Sequence, residues 1–510
     1  MESKINDDKI LKKYKKIDLT LIICTYMMLA IPIAMLLIFW FKWYISVPCF
    51  FCLTIALILV IRKIKYKTLD EYKQIFNIKK IAIIMLGLLI FNILSGAGGL
   101  FYQNWDYRYR NTVLHDLIDK DWPVKYDYSS MEYEKAQIGT EKGFLSYYFT
   151  YWLPGATVGK LLGFEAANMF LLLWQFLGTT LFFYLVYRKM NKVKIKYFLV
   201  FICFGGLDII TKFIINMWSG QGGEILGATH IDTANGMFCM STFVTQLFWV
   251  FNQSLPAWLI TMLLVNDKSY ENLGLMIALL LPFAPFPCLG LILICILFII
   301  FGFDFNNTIN FERIKKLFSI QNIIGVISVI PIGLMFLQNE NEKGSVFIKA
   351  YNNGNLLNIL IGYLLFVILE FGIYSIIINK ENKKRILAYF ALFAIVPTFY
   401  LGKGLDLGNR ATIPILILLY LEIIKFIDNK NSSKIRVAIL CVILAIAFCT
   451  NFNEFYRSIT YTMENWRNNK FISFNDTYIT FNQFENKECE KLIKNFVSPD
   501  KDNYFSKILR

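Results

Sequence analysis

One polar stretch in a largely apolar chain of 510 residues carries the residue types that chemistry at a bilayer surface would use. Between Tyr102 and Gly143 stand Asn104-Trp105-Asp106 and Asp121-Trp122-Pro123. A carboxylate held just beyond an apolar span can take the proton of a hydroxyl that attacks a group carried on a lipid phosphate, because the phosphate itself stays in the headgroup layer. Asp106 is the first candidate for that base. Capping the helix that starts near Tyr107, or pairing with Arg110 one turn on, calls for the same residue type, and these structural roles stand as alternatives of equal weight. Asp121 is the reserve catalytic or metal-binding residue, turned back toward the membrane by Trp122-Pro123, with Trp122 as a substrate contact. Asp116 and Asp119 read as a solvated helix face.

Two further constellations lie downstream. Asp406-Leu-Gly-Asn-Arg410-Ala-Thr-Ile-Pro414 opens an apolar run, where the planar guanidinium of Arg410 could grip a lipid phosphate or simply snorkel to the headgroups. Gly220-Gln-Gly-Gly-Glu224 through His230-Ile-Asp232 is polar and glycine-rich. His230 and Asp232 could contact a sugar or a divalent cation, although two ligands do not make a metal site and ordinary loop chemistry is the plainer reading. Within the apolar runs, Asp208 and Lys212 are spaced to pair, Glu370 has no partner in local sequence, and Gln246, Asn252 and Gln253 form a polar stripe beside Pro256.

The elements that must position these residues are membrane helices. Hydrophobic residues make up 56% of the chain and aromatic residues 17%, with a mean hydropathy of +0.49, beyond the roughly 45–50% apolar content of soluble domains. Apolar runs predict an all-α polytopic protein of about thirteen transmembrane helices. They fall at Asp18–Trp40, Ser46–Ile61, Ile81–Phe101, Phe164–Tyr187, Tyr197–Trp218, Thr242–Val265, a proline-broken pair between Leu273 and Phe303, Gln321–Leu337, Leu356–Ile378, Ile386–Leu401, Ala411–Ile427 and Val437–Thr450. The Phe144 to Leu162 stretch is expected to lie in the interface rather than to span. Residues 1–80 form an N-terminal segment and an added hairpin, 81–450 the core with an outer loop at 102–163, and 451–510 a polar tail.

The net charge of +15 gathers in short clusters such as Lys12-Lys13-Tyr14-Lys15-Lys16, Arg62-Lys63-Ile64-Lys65 and Lys383-Lys384-Arg385, all on one side of the predicted spans. That pattern argues for topology rather than nucleic-acid binding and makes the clustered side cytoplasmic. A multi-pass cell-membrane protein with a cytoplasmic N-terminus and an extracytoplasmic C-terminus is expected. The first apolar run is long and lacks a small-residue cleavage site, so no cleaved signal is expected. Most of the ten cysteines sit in or beside spans, leaving Cys239 and Cys489 as one conceivable disulfide. No zinc motif or phosphate-cradling glycine loop is present.

Asn104-Trp-Asp106, Val113-Leu-His-Asp-Leu-Ile, Trp122-Pro123, Tyr151-Trp-Leu-Pro-Gly, Phe248-Trp-Val-Phe-Asn-Gln-Ser-Leu-Pro-Ala-Trp258 and the Asp406 to Pro414 motif, in that order, resemble the GT-C type multispan bacterial glycosyltransferases. The resemblance covers about Ile81 to Thr450 and also Phe496 to Ile508. It implies a helical bundle with an acidic outer loop, a polyprenyl-phosphate sugar donor, and a cell-envelope glycan or lipid acceptor. In that frame Asp106 matches the loop acid and Arg410 an outer arginine that meets phosphate. The chain departs from the pattern in placing the loop after the third span and in lacking an acidic neighbour to Asp106, which puts a metal-dependent reaction in doubt. Two other functions fit a protein of this class. One is a polymerase of lipid-linked repeat units that relies on outer arginines. The other is a transporter or flippase, disfavoured because the proline break has no counterpart elsewhere in the chain.

Overall fold

The structure, a computed structural model, describes residues 2–219, 227, 231–234, 238–306, 309–339, 345–346, 356–378, 383–400, 405–477, 479–482, 493–501, 505 and 507–510. It is 75% helical. Helices α1 (Glu2–Trp40) and α2 (Trp43–Ile61) are followed by a short helix, Leu69–Ile75, bent 42° against α3 (Ile78–Leu94). The short helix begins where Thr-x-x-Glu spacing requires: Thr68 Oγ1 accepts from the Glu71 amide and Glu71 accepts from the Thr68 amide at 2.8 Å, a reciprocal cap.

The polar stretch folds into the surface helix α4 (Tyr107–Asp119), strands β1 (Lys125–Asp127) and β2 (Lys142–Leu145), and α5 (Leu153–Leu162). Next come α6 (Phe164–Met190), α7 (Ile195–Cys203), α8 (Asp208–Ser219), α9 (Phe243–Asp267), α10 (Leu273–Leu280), α11 (Pro285–Phe301) and α12 (Ile320–Phe336). The last group is α13 (Leu356–Val367) continuing through a π-helical segment, Ile368–Gly372, into Ile373–Ile378, then α14 (Lys383–Ile395), α15 (Asp406–Ala411), α16 (Ile413–Asp428) and α17 (Lys434–Arg467).

Among the described residues seven helices are long and apolar enough to cross a membrane, or up to nine if each bent pair counts as one span. The coarse expectation of an all-α membrane protein therefore holds, whereas length and composition alone do not reach thirteen spans. Between Pro282 and Pro287 the chain breaks into two short apolar helices, α10 and α11. The Phe144 to Leu162 stretch, as expected, yields no spanning helix, only a strand, a 3-10 turn (Thr150–Trp152) and the ten-residue α5.

α9 is the axis of the bundle: every residue of its apolar window is buried, among α6, α16 and α17. Outer helices instead expose apolar stripes at helical spacing, as α12 does with Ile320, Ile323, Ile327, Ile330 and Leu334. An exposed stripe of this length is what a lipid-facing helix carries. The N-terminal hairpin is not a separate addition: α1 packs on α6, and α2 on α12.

The charged residues sort to two opposite ends. At one end Asp18 holds Arg188, Tyr72 and Tyr184, while Arg188 reaches the Lys65 carbonyl. Nearby, Lys63 meets Glu271, Lys268 and Arg385 meet Asp304, and Lys192, Lys194 and Lys196 converge on Asp428. The predicted basic side is thus one physical face. At the other end lie the polar stretch, the Asp232 to Ser241 and Asp406 to Arg410 segments, Asn339 and the tail, joined by Asn339 to Ser146 (3.4 Å) and Asn475 to Asn104 (2.9 Å). There β2 pairs with β1 on one side and with a tail strand, β3 (Val497–Pro499), on the other.

Candidate functional site

The geometry of Asp106 starts in a defect of α9. Val250 leaves helical angles (φ −136, ψ 36), and Ser254 Oγ donates to the carbonyls of Gln246 and Val250, both at 3.1 Å. The Phe248 carbonyl, beside this break, accepts from Asn104 Nδ2 at 2.8 Å, while Asn104 Oδ1 accepts from the Asp106 amide at 3.1 Å. The approach from α3 turns at Gly96, whose φ of +86 and 2.7 Å clearance to the Tyr102 carbonyl leave no room for a side chain. Asp106 takes the N-cap position of α4 without capping it. Its carboxylate instead meets Arg110 Nη2 at 2.8 Å and remains a quarter exposed. Of the two structural roles foreseen for Asp106, pairing is realised and capping is not.

Arg410 stands in α15, bound to Asp406 at 2.9 Å, and donates to the Tyr148 hydroxyl at 3.2 Å. Tyr148 lies against Tyr147, their ring centres 3.9 Å apart. Burial pushes the Asp406 carboxyl above the usual carboxylate range; Arg410 opposes this and the Asp106 charge adds to it. Burial works against the Arg410 charge, but Asp406, Tyr148, Tyr147 and Asp106 together hold its pKa above the ordinary arginine value. Tyr147, raised by burial and by Tyr148, is drawn down by both Arg410 and Arg110. Asp106, Arg110, Tyr147, Tyr148, Asp406 and Arg410 therefore share one electrostatic neighbourhood. Arg410 Nε and Arg110 Nη1 are both buried there without a hydrogen-bond partner, two guanidinium donors facing the interior of the cluster's surroundings unsatisfied.

The third constellation joins the second. Asp232, 5% exposed, accepts from Ser241 Oγ at 3.0 Å, and Ser241 exchanges two bonds with Asn409, the residue before Arg410. His230 and the 220–226 segment lie outside the described residues, as does Cys489; Cys239 is a free thiol. Among the described residues no three His, Cys, Asp or Glu side chains stand close enough to hold a metal ion.

Asp121 and Trp122 belong elsewhere. They lie past the C-terminal end of α4, whose 13 residues separate them from Asp106 by about 20 Å. Asp121 is exposed with Lys160 as its neighbouring charge, and Trp122 packs on Phe39 and Trp40 under the Lys160 ammonium. Lys160 also donates to the Ile118 and Lys120 carbonyls, finishing the helix. Asp116 is not a solvated residue either: it is 1% exposed and accepts from Tyr126, Thr480 and the Phe481 amide. Asp119 does face solvent, 4.0 Å from His115.

Sequence reasoning passed over Tyr147, Tyr148 and Asn409 as site residues, and treated Arg110 only as a partner for Asp106. It also missed Glu454, which accepts from Trp249 Nε1 at 3.1 Å and pairs with Arg457 at 3.5 Å, behind the Trp105–Trp249 edge contact. Asn409 was inside a motif already singled out. Nothing in the local sequence marks Tyr148 or Glu454, because each is defined by a partner more than 200 positions away.

Fold and site together define an α-helical membrane protein with a half-buried acid–arginine–tyrosine cluster at the end of the bundle opposite its basic face. Comparison of the chain with protein-family models, with curated proteins and with solved structures gives no match.

Proposed function

We propose that this chain is an integral membrane glycosyltransferase of the hexosyltransferase type that moves a sugar from a polyprenyl-phosphate donor to a cell-envelope glycan or lipid acceptor. Under the positive-inside rule the face bearing the lysine and arginine clusters is cytoplasmic and the Asp106–Arg410 face is outer, with the C-terminus on that side. The observation that carries the proposal is the shared neighbourhood of Asp106 and Arg410, a partly exposed carboxylate and a guanidinium whose buried Nε has a spare N–H.

In this reading Arg410 and Arg110 hold the donor phosphate at the headgroup layer. The acceptor oxygen attacks the anomeric carbon as its proton passes to Asp106, and the carbon–oxygen bond to phosphate breaks with the electron pair leaving on phosphate. Asp232, through Ser241 and Asn409, braces the helix α15 that carries Arg410. Replacing Asp106 by Asn is expected to cut transfer by about a hundredfold to ten-thousandfold at normal protein level, followed as envelope glycan composition in cells. An unchanged glycan would remove the transferase reading.

A polymerase of lipid-linked repeat units is the second reading, favoured by the presence of two buried arginines rather than one. There, Arg410 variants would shorten the polymer while Asp106→Asn would leave it intact.

A further inference from the structure

The candidate span Ile195–Ile214 is interrupted. α7 ends at Cys203, and Phe204-Gly205-Gly206-Leu207 run without helical bonds before α8 starts at Asp208. Other helices satisfy the exposed carbonyls: Asn451 Nδ2 donates to Ile202 (2.6 Å) and Phe204 (3.2 Å), and the Tyr374 hydroxyl to Gly205 (2.7 Å). Glu370, from the π-helical segment of the neighbouring span, points into this break and is fully buried. A Cβ on Gly206 would fall 1.3 Å from Glu370 Oε2, so only glycine admits the carboxyl there. Neither Glu370 oxygen has a hydrogen-bond partner by strict geometry. What the group faces is the carboxyl of Asp208, 2% exposed, whose Oδ2 accepts from Thr450 Oγ1 at 3.1 Å.

Two facing carboxyls in a membrane interior cannot both stay charged without compensation. Lys212, spaced to pair with Asp208, forms no ion pair with it, and among the described residues neither carboxylate meets a lysine or arginine. Among the described residues no third acidic, His or Cys side chain closes on the pair, and Asp232, the next acid, is bonded to Ser241. We propose that this helix break binds one monovalent cation, a proton or a sodium ion, between the Asp208 and Glu370 carboxylates. Four carboxylate oxygens and the Thr450 hydroxyl supply hard donors for sodium, and a carboxyl–carboxylate hydrogen bond is the form a bound proton takes.

Among the described residues the remaining titratable groups around the pair are Asp232, Cys239 and, from the span of Glu370, Tyr374, with Glu454 of α17 beyond Asp232. Bound cation removes the repulsion between α8 and the π segment, which touch through the Leu207 amide and the Leu369 carbonyl at 3.3 Å. Asp208 lies within electrostatic reach of Asp232, which is bonded through Ser241 to Asn409 beside Arg410.

Dicyclohexylcarbodiimide, which modifies a protonated carboxyl in an apolar site, tests this on the purified full chain, with peptide mapping of the label and a parallel thermal-unfolding midpoint. Labelling of Glu370 or Asp208 is expected to fall about tenfold per pH unit once the bound proton is lost. Sodium chloride, but not choline chloride, lowers the label at fixed pH if sodium occupies the site and leaves it unchanged if the proton is the sole ligand. The unfolding midpoint should respond to pH or sodium in the native chain and lose that response in E370Q, or in D208N should E370Q fail to accumulate. A label and a midpoint that respond to neither pH nor sodium, or a response that persists undiminished in both variants, would overturn the proposal.

Discussion

Arg410 illustrates how a single side chain can be committed and still available. Its guanidinium satisfies Asp406 and Tyr148 while Nε is left unpaired, an arrangement that needs a planar fork of several donors. Lysine at this position keeps the charge but gathers its three donors on one nitrogen, without the planar fork that reaches Asp406 and Tyr148 while Nε points elsewhere. Arg410→Lys is therefore expected to lower glycan transfer by about a hundredfold or more with little change in unfolding temperature. A rate within a few-fold of the native one would show that charge alone suffices there. Asp106 was recognisable from its residue type and its place after an apolar run. That it belongs with Arg410 was an expectation of the family resemblance; the contacts between them, through Tyr148 and Tyr147, were not legible, since 304 positions separate the two and no periodicity connects them.

At the level of elements, close helix approach sets where the cluster sits. A Cβ on Gly290 of α11 would fall 1.8 Å from the Ala411 carbonyl oxygen, a backbone atom of α15 that has no rotamer with which to give way. Gly290→Ala should displace α15 and with it Arg410, reducing transfer more than it reduces protein level, as quantitative blotting beside glycan analysis would reveal. On the basic face, Asp428 ties the start of α7 to the end of α16. Burial raises its pKa, but hydrogen bonds from Lys192, Lys194, Lys196 and Tyr197 outweigh burial and hold it well below the usual carboxylate range. A depressed folded-state pKa contributes stability above the unfolded value that is lost as pH falls through the folded one. The unfolding-temperature gap between native chain and Asp428→Asn should thus be full at neutral pH and shrink below about pH 4. A gap independent of pH would mean the lysines act by packing alone. The proline break between α10 and α11 was legible as an interruption; the defect of α9 at Val250, and that Asn104 bonds to the Phe248 carbonyl beside it, required the fold.

For the whole molecule, the C-terminal tail is the clasp on the site's face. Its strand β3 pairs with β2, the Ile508 carbonyl accepts from the Lys42 amide at 3.0 Å, and Arg510 N donates to the Trp40 carbonyl at 2.8 Å. Asp116 pins the 480–481 segment with two of its three bonds. Asparagine there keeps the shape but turns one acceptor oxygen into a donor facing donors. Asp116→Asn should cost about 1–3 kcal/mol and speed protease cleavage between residues 471 and 482, while the membrane helices stay intact. Equal cleavage rates would mean the strand pairing holds the tail unaided.

What the amino-acid order determined by itself is the class of protein and the sidedness of its charge. Apolar length, lysine and arginine clusters and cap residues act over one or two turns, so they are readable without a partner. The three-dimensional packing alone decided that Asp106, Arg410 and Asp232 border a common region, that Asp121 and Trp122 brace the far end of α4, and that Asp208 turns from Lys212 to Glu370. Each of those outcomes depends on a desolvated contact between segments distant in the chain, whose energy exists only after the helices have come together.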